Sequence, residues 1–170
     1  MSFSLAQISG ALAGGIVGGF AGFVSNSIQQ RLQSIQARRS VARALLGEMG
    51  AISKRIELEY LKKLSLELSI MKSEGRYPSH RFRGQKDLGR IFCSLGEHLG
   101  SLPSELVSEL VSWYLSLAIY QERESELHEL SSHRSAEFME YAIELVELQH
   151  AGYSGLVQIA RPLMTQLSAF

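Results

Sequence analysis

The sequence predicts an all-α protein in which one N-terminal transmembrane helix continues into a long helix, followed by a small cytoplasmic helical bundle. Three observations support this prediction. The first 30 of the 170 residues contain no ionisable side chain. Apolar residues recur at helical spacing through most of the remainder, which contains only 3 prolines. Charge is divided by segment: residues 31–90 carry 14 basic and 6 acidic side chains, and residues 91–170 carry 3 and 11.

The transmembrane helix is predicted over residues 3–24, a run of 22 residues whose only polar members are Ser4, Gln7 and Ser9. As a helix this run is about 33 Å long, enough to cross the hydrocarbon core of a bilayer. Two other interpretations stay open. The run could be a cleaved signal peptide, although no basic residue precedes it. It could also be a buried helix of a soluble protein, because its glycines dilute its hydrophobicity.

Small residues form two columns on this helix, since positions four apart share a face. The columns consist of Gly10, Gly14, Gly18 and Gly22, and of Ala11, Gly15 and Gly19. Each glycine costs a helix about 1 kcal/mol relative to alanine, whereas a face without side chains lets another helix approach closely in lipid. The pattern resembles the glycine zipper of membrane-protein interfaces and of some oligomeric channels. It predicts a homo-oligomer interface, through helix packing alone or in an assembled pore.

Orientation is predicted from the basic residues that follow the helix, Arg31, Arg38, Arg39 and Arg43. No acidic residue occurs before Glu48. The positive-inside rule therefore predicts a single-pass protein of the inner or plasma membrane, with its N-terminus outside and its C-terminal domain in the cytoplasm. Near the surface, each arginine also gains about 1 kcal/mol from anionic lipid head groups.

We divide the chain into a transmembrane helix (residues 1–27), a long coiled-coil-like juxtamembrane helix (28–75), a basic loop (76–86) and an acidic helical bundle (87–170). The long helix is predicted from an apolar seam with steps near three and four, formed by Ile28, Leu32, Ile35, Ala42, Leu46, Met49, Ile56 and Tyr60. Gly75 and Pro78 lie in a turn that ends it.

Three or four shorter helices are expected in the bundle. Asp87 is expected to cap a helix that runs through Leu99, and Pro103 to lie in the first turn of the next helix. A third helix is expected to end at a C-cap at Gly152. The apolar tail after it is expected either to dock on these helices or to lie at the membrane interface.

Acidic side chains form a row on the third of these helices, at steps of three and four. They are Glu137, Glu140, Glu144 and Glu147. Like charges at this spacing destabilise a helix slightly. We therefore expect this row to contact a basic segment within the subunit or on a neighbour, or else to be a solvated face. The basic side chains in question are Arg81, Arg83, Lys86 and Arg90.

Residues that could support catalysis or metal binding are sparse. The five histidines show no i, i+4 pair, and the sequence contains no CxxC, HExxH or Walker-type motif. Cys93, the single cysteine, is expected to be a core residue, and one cysteine fits a reducing compartment. We expect no enzymatic activity, cofactor or metal. Nucleic-acid binding is also not expected, because the basic loop is short and no known binding motif surrounds it.

A stretch beginning at Arg90 is similar to a group of uncharacterised bacterial single-pass membrane proteins with a glycine-zipper-like N-terminal helix. The matching positions are Leu99, Gly100, Leu102, Pro103, Leu106, Val107, Val111, Trp113 and Tyr114. The resemblance implies a membrane-anchored helical protein and carries no assigned activity. The sequence thus favours a membrane-anchored, self-associating scaffold subunit. The alternatives are a pore-forming effector, of the toxin or anti-phage defence type, and an anchor that recruits a cytoplasmic protein partner.

Overall fold

The computed structural model describes residues 5–78, 88–132 and 138–170, with side chains from residue 29 onward except those of residues 125, 126 and 128–132. No strand occurs in these ranges, which confirms the predicted all-α class. The helices are α1 (Leu5–Arg55), α2 (Leu61–Glu74), α3 (Arg90–Ser94), α4 (Ser104–Ser132) and α5 (Met139–Ser168). A π turn (Ile56–Tyr60) joins α1 to α2, and a 3₁₀ helix (Gly96–Ser101) precedes α4.

Two compact units divide the chain between Arg39 and Ser40. Helix α1 contributes to both units, so the division falls inside the long helix expected over residues 28–75. In the first unit, residues 29–37 are exposed, including Leu32 and Ile35. These two members of the predicted apolar seam therefore lie outside the core of the second unit, which begins at Val41.

Within the second unit, the buried seam explains the π turn. Its members are Leu45, Met49, Ile52 and Ile56 up to the first residue of the turn, and Tyr60, Leu64, Glu67 and Met71 from its last residue onward. Each group steps by four, three and four, as on one face of a helix. The step from Ile56 to Tyr60 is also four, where regular alternation requires three. The π turn accommodates this one extra residue, with the Leu61 N–H bonded to the Ile56 carbonyl five residues back.

The end of α2 agrees with the turn predicted from the sequence. Gly75 follows the last helical residue with a φ of 58°, a left-handed conformation that glycine adopts without strain. Pro78 is three residues further on and buried. Helix α2 therefore ends one residue before the boundary predicted at Gly75.

The predicted helix from Asp87 to Leu99 is wrong as one continuous element, because it is divided into α3 and the 3₁₀ helix. Asp87 lies outside the described residues. Cys93 is exposed rather than in the core. The reason is that α3 has only five residues and covers the core with Phe92, so the side chain that follows points to solvent.

Helix α5 packs against α4, α2 and the π turn, and its buried side chains form the centre of the core. They are Ala142, Val146, Gln149, Tyr153, Leu156, Val157, Ala160, Leu163 and Leu167. The expectation of a C-cap at Gly152 is wrong, because α5 continues through Gly152 and Pro162 to Ser168. The tail therefore packs on the other helices, the first of the two arrangements expected for it.

Over the residues that the structure describes, no helix combines the length and the apolar character needed to cross a membrane. The glycine columns predicted between Gly10 and Gly22 lie in α1, but the surroundings of these residues are outside the described part of the chain.

Candidate functional site

Helices α4 and α5 come close together where the Tyr120 ring lies against Gly152. A Cβ atom added to Gly152 would overlap the Tyr120 ring, so only glycine fits this position without a shift of the ring. Three residues along α5, Gly155 is different: a Cβ added there would meet nothing within 4 Å. The two helices are therefore in contact at Gly152 and leave open space at Gly155.

This open space belongs to a surface groove of about 450 Å³ between the two helices. Ser116 and Tyr120 line it from α4, and Leu148, Gly152, Gly155 and Ile159 line it from α5. Leu148 and Ile159 are 51% and 55% exposed. On α4, the exposed side chain of Ile119 lies three residues after Ser116 and therefore shares its face. The groove is thus a small-residue slot flanked by exposed aliphatic side chains.

Beneath the groove, polar side chains bind the helices to one another. The Trp113 indole N–H donates to the Leu156 carbonyl over 2.9 Å, and the Tyr153 hydroxyl donates to the Glu124 carboxylate. The Gln149 side-chain amide donates to the Tyr120 carbonyl over 2.6 Å. Burial, followed by the charge and hydrogen bond of Glu124, raises the pKa of Tyr153 far above its usual range. Tyr153 is therefore a neutral donor at any physiological pH.

A second polar cluster centres on Glu48 of α1, whose hydrogen bonds join α3 to α1 and α4. Its carboxylate accepts the backbone N–H groups of Ile91 and Phe92 over 2.7 and 2.9 Å. It also accepts the Tyr114 hydroxyl over 2.8 Å. Burial, and then this hydrogen bond, raises the pKa of Tyr114 far above its usual range. The Phe92 ring stacks on Tyr114 at a centroid distance of 4.0 Å.

Glu48 therefore caps the N-terminus of α3, the role that the sequence analysis predicted for Asp87. The residue at the N-cap of α3 is Gly89, which has no side chain to accept the first backbone N–H groups. Its φ is 92°, and a Cβ added there would lie 3.1 Å from the Tyr114 ring, so both the backbone and the space favour glycine. The cap of α3 therefore comes from a helix 43 residues away along the chain.

The arrangement of these two clusters favours structural roles for their carboxylates. Each carboxylate accepts hydrogen bonds from a tyrosine hydroxyl or from backbone N–H groups that it holds in place. In the described part of the chain, no three or more His, Cys, Asp or Glu side chains are grouped to hold a metal ion.

The arginines predicted to contact lipid head groups all lie on α1. Arg31, Arg39 and Arg43 are exposed, and Arg38 is half-buried. Arg31 and Arg38 belong to the first unit together with Arg39, whereas Arg43 belongs to the second. Their predicted role in topology concerns a membrane and stays a prediction.

The predicted electrostatic contact between the acidic row and the basic segment falls partly outside the described residues, which exclude Arg81, Arg83, Lys86 and Glu137. Arg90 is exposed at the start of α3. Glu140, Glu144 and Glu147 are exposed on α5. Glu147 forms an ion pair with Lys72 of α2. This acidic side chain thus contacts a basic group of the long helix, which was not among the predicted contact residues.

Sequence reasoning did not identify Glu48, Tyr114 or the groove as features of interest. Glu48 was noticed only as the first acidic residue after the arginines. One signal for the groove was available: Gly152 and Gly155 are two small residues three apart within an otherwise continuous apolar pattern. That spacing on a helix indicates a face that another helix approaches closely.

Comparison with known proteins adds no relative. No family model, curated protein or solved structure matches this chain. The resemblance of the stretch from Arg90 to Tyr114 to bacterial single-pass membrane proteins therefore stays a prediction. Function has to be argued from the chain's own residues.

Proposed function

We propose that the protein is a membrane-anchored, self-associating assembly subunit without enzymatic activity, whose helical domain faces the cytoplasm. The observation that carries the proposal is α1, a single helix from Leu5 to Arg55 that joins an uncharged, glycine-rich segment to the folded domain. A helix with several glycines on one face loses helix propensity and gains packing only when another helix covers that face. The glycine columns are therefore the contact between copies.

The domain from Ser40 onward supports this proposal because its buried polar side chains hold its helices together. Glu48, Tyr114, Glu124 and Tyr153 hold helices together across the core, as the hydrogen bonds above describe. Such a domain is a stable helical body carried by the anchor. Its function is then to position a surface at the membrane rather than to transform a substrate.

Replacing Gly14 and Gly18 by Leu tests the proposed contact between copies. The two isobutyl groups add hydrophobicity and so keep the helix in the bilayer, but they prevent backbones from touching on the glycine face. We expect the full chain to cross-link into oligomers in membranes and the Gly14→Leu/Gly18→Leu variant to lose them. The matched control, Ser9→Leu/Ala13→Leu, adds the same two isobutyl groups at the same spacing to the opposite face and should cross-link like the wild type. Unchanged cross-linking of the glycine variant would contradict the proposal.

A pore-forming or membrane-permeabilising effector is the second candidate, and the glycine columns favour it because similar columns occur in oligomeric channels. Release of a trapped dye from vesicles containing the full chain separates the two functions. An assembly subunit forms oligomers without leak. Leak that disappears together with the oligomers in the Gly14→Leu/Gly18→Leu variant would identify a pore instead.

A further inference from the structure

We propose that the α4–α5 groove binds the anion of a long-chain fatty acid, with the carboxylate at Arg123 and the hydrocarbon chain along the slot at Gly155. The site lies wholly in the folded domain, so it goes beyond the proposed function and does not depend on the membrane anchor. Three properties of the groove support it: charge at one end only, the length of one acyl chain, and an apolar lining.

The residues that line the groove form two rows, one on each helix. On α4 the row steps by four and three, through Ser116, Tyr120 and Arg123. On α5 it steps by four, three and four, through Leu148, Gly152, Gly155 and Ile159. The helices run antiparallel, because Trp113 bonds the Leu156 carbonyl while Tyr120 bonds Gln149. Arg123 therefore lies at the Leu148 end of the groove, and Ser116 at the Ile159 end.

Among the described residues that line the groove, Arg123 alone is charged. Its guanidinium lies 5.7 Å from the centroid of the Tyr120 ring, and the attraction between the two holds the charge at this end. Arginine has five N–H donors, so donors remain to bind a carboxylate. The neighbouring Glu124 accepts the Tyr153 hydroxyl beneath the groove. One positive end on an otherwise uncharged groove suits a ligand with a single anionic head and an apolar body.

The length of the groove matches one hydrocarbon chain. From Leu148 to Ile159 the α5 row rises by about 16 Å, at about 1.5 Å per residue. The hydrocarbon core of a bilayer is about 30 Å thick and contains two layers of chains, so one acyl chain reaches about 15 Å. A membrane phospholipid has two such chains, and the groove accommodates one. A free fatty acid is therefore the better fit.

The apolar lining favours a hydrocarbon chain over a peptide. Leu148 and Ile159 are 51% and 55% exposed, and a Cβ added to Gly155 would meet nothing within 4 Å. A peptide in this slot would bring backbone N–H and C=O groups that need partners. The Ser116 hydroxyl already donates to the Ser112 carbonyl over 2.9 Å. A hydrocarbon chain brings no polar group and removes the exposed aliphatic side chains from water.

Fluorescence of Trp113, the only tryptophan, reports occupation of the groove. The indole lies beneath the groove and bonds the carbonyl of Leu156, which lines it. The test adds doxyl-labelled stearate, a fatty acid that carries a quencher, to the full chain in nanodiscs of neutral phosphatidylcholine. We expect saturable quenching. The uncharged methyl ester of the same probe should bind at least about tenfold more weakly, because it has no carboxylate for Arg123.

Two variants test the two parts of the site. Gly155→Leu fills the slot and should raise the dissociation constant of stearate at least about tenfold, while the melting temperature stays close to that of the wild type. Arg123→Gln removes the charge and should raise the constant by a similar factor. The matched controls are Gly47→Leu, where an added Cβ also meets nothing within 4 Å, and Lys62→Gln, an exposed cation of α2. Both controls should bind stearate like the wild type.

The Gly14→Leu/Gly18→Leu variant separates this site from the proposed function, since it should lose oligomers and still bind stearate. Equal quenching in Gly155→Leu and Gly47→Leu overturns the groove as the site. Equal binding of stearate and its methyl ester overturns the role of Arg123. Quenching by a doxyl-labelled anionic phospholipid that is as strong as quenching by labelled stearate would identify a membrane lipid as the ligand and overturn the fatty-acid assignment.

Discussion

At the scale of single residues, the domain is held by contacts that join positions far apart in the chain. Glu48 is the clearest example, because one carboxylate caps α3 and also accepts the Tyr114 hydroxyl. Hydrogen bonds to a charged acceptor are each worth about 1.5–3 kcal/mol when the partner left behind is buried. Changes at Glu48 should therefore cost more than its partial exposure suggests.

Replacing Glu48 by Ala is expected to lower the free energy of unfolding by about 3 kcal/mol, since a half-buried hydroxyl and two backbone N–H groups lose their acceptor. Tyr114→Phe removes only one of these hydrogen bonds and should cost about 1.5 kcal/mol. Urea denaturation followed by the fluorescence of Trp113, the only tryptophan, measures both values. If Glu48→Ala lowers the free energy of unfolding no more than Tyr114→Phe does, the capping of α3 by Glu48 contributes little to stability.

Replacing either of two glycines of α5 by alanine should change the stability of the domain, in opposite directions. Gly152→Ala should destabilise the domain by about 1–3 kcal/mol, because the added methyl group overlaps the Tyr120 ring. Gly155→Ala should stabilise it by about 0.5–1 kcal/mol, since alanine favours the helix and its Cβ meets nothing. Thermal melts of the two variants check the signs. Equal effects of the two substitutions would contradict the described crossing of α4 and α5.

At the scale of elements, the π turn is the feature that joins two regular segments. On either side of the π turn, the buried residues are spaced alternately by four and three positions. Between Ile56 and Tyr60 the spacing is four where this alternation requires three, so the turn contains one extra residue. A π turn that holds an inserted residue preserves the facing of both flanking helices. Removal of the surplus residue should then restore an ordinary α-helix without turning either seam away from the core.

Deletion of Leu58, an exposed residue in the middle of the π turn, tests this explanation. The deletion should leave the free energy of unfolding within about 1 kcal/mol of the wild type or raise it, because the buried steps become a regular alternation. Deletion of Ala51, an exposed residue of α1, is the control. This deletion rotates the buried residues that precede position 51 by about 100° relative to those that follow it, and it should prevent folding. Unfolding of the Leu58 deletion to the same degree would mean that the π turn itself is required.

At the scale of the whole molecule, local signals predicted the elements better than the contacts between them. The end of α2 at Gly75 and the start of α4 beside Pro103 follow from backbone chemistry at those residues, although α4 begins one residue after Pro103 and does not include it. Gly152 carries the same local signal as a helix end, but it serves a contact with Tyr120. The cap of α3 by Glu48 joins positions more than 40 residues apart and leaves no local pattern.

The exposed aliphatic side chains that flank the groove could not be predicted from the sequence, for a related reason. Exposed Ile119 and Ile159 lie within apolar patterns that also contain core residues such as Leu117 and Leu163. Periodicity alone cannot separate the two sets, because a helix packed on two sides has a wide apolar face. Only the packing of α4 on α5 decides which aliphatic side chains stay at the surface.

The central claim is that the uncharged N-terminal segment, residues 1–30, anchors the chain in a membrane and that the helical domain lies on the cytoplasmic side. Sodium carbonate extraction, combined with labelling of the exposed Cys93 by a membrane-impermeant maleimide, tests it most directly. We predict that the full chain stays in the membrane pellet and that Cys93 is labelled only after the membrane is permeabilised. Leu12→Arg/Ile16→Arg should release the chain, whereas Ser34→Arg, at an exposed position, should not. Recovery of the wild-type chain in the soluble fraction, or labelling of Cys93 from outside intact cells, would contradict the account.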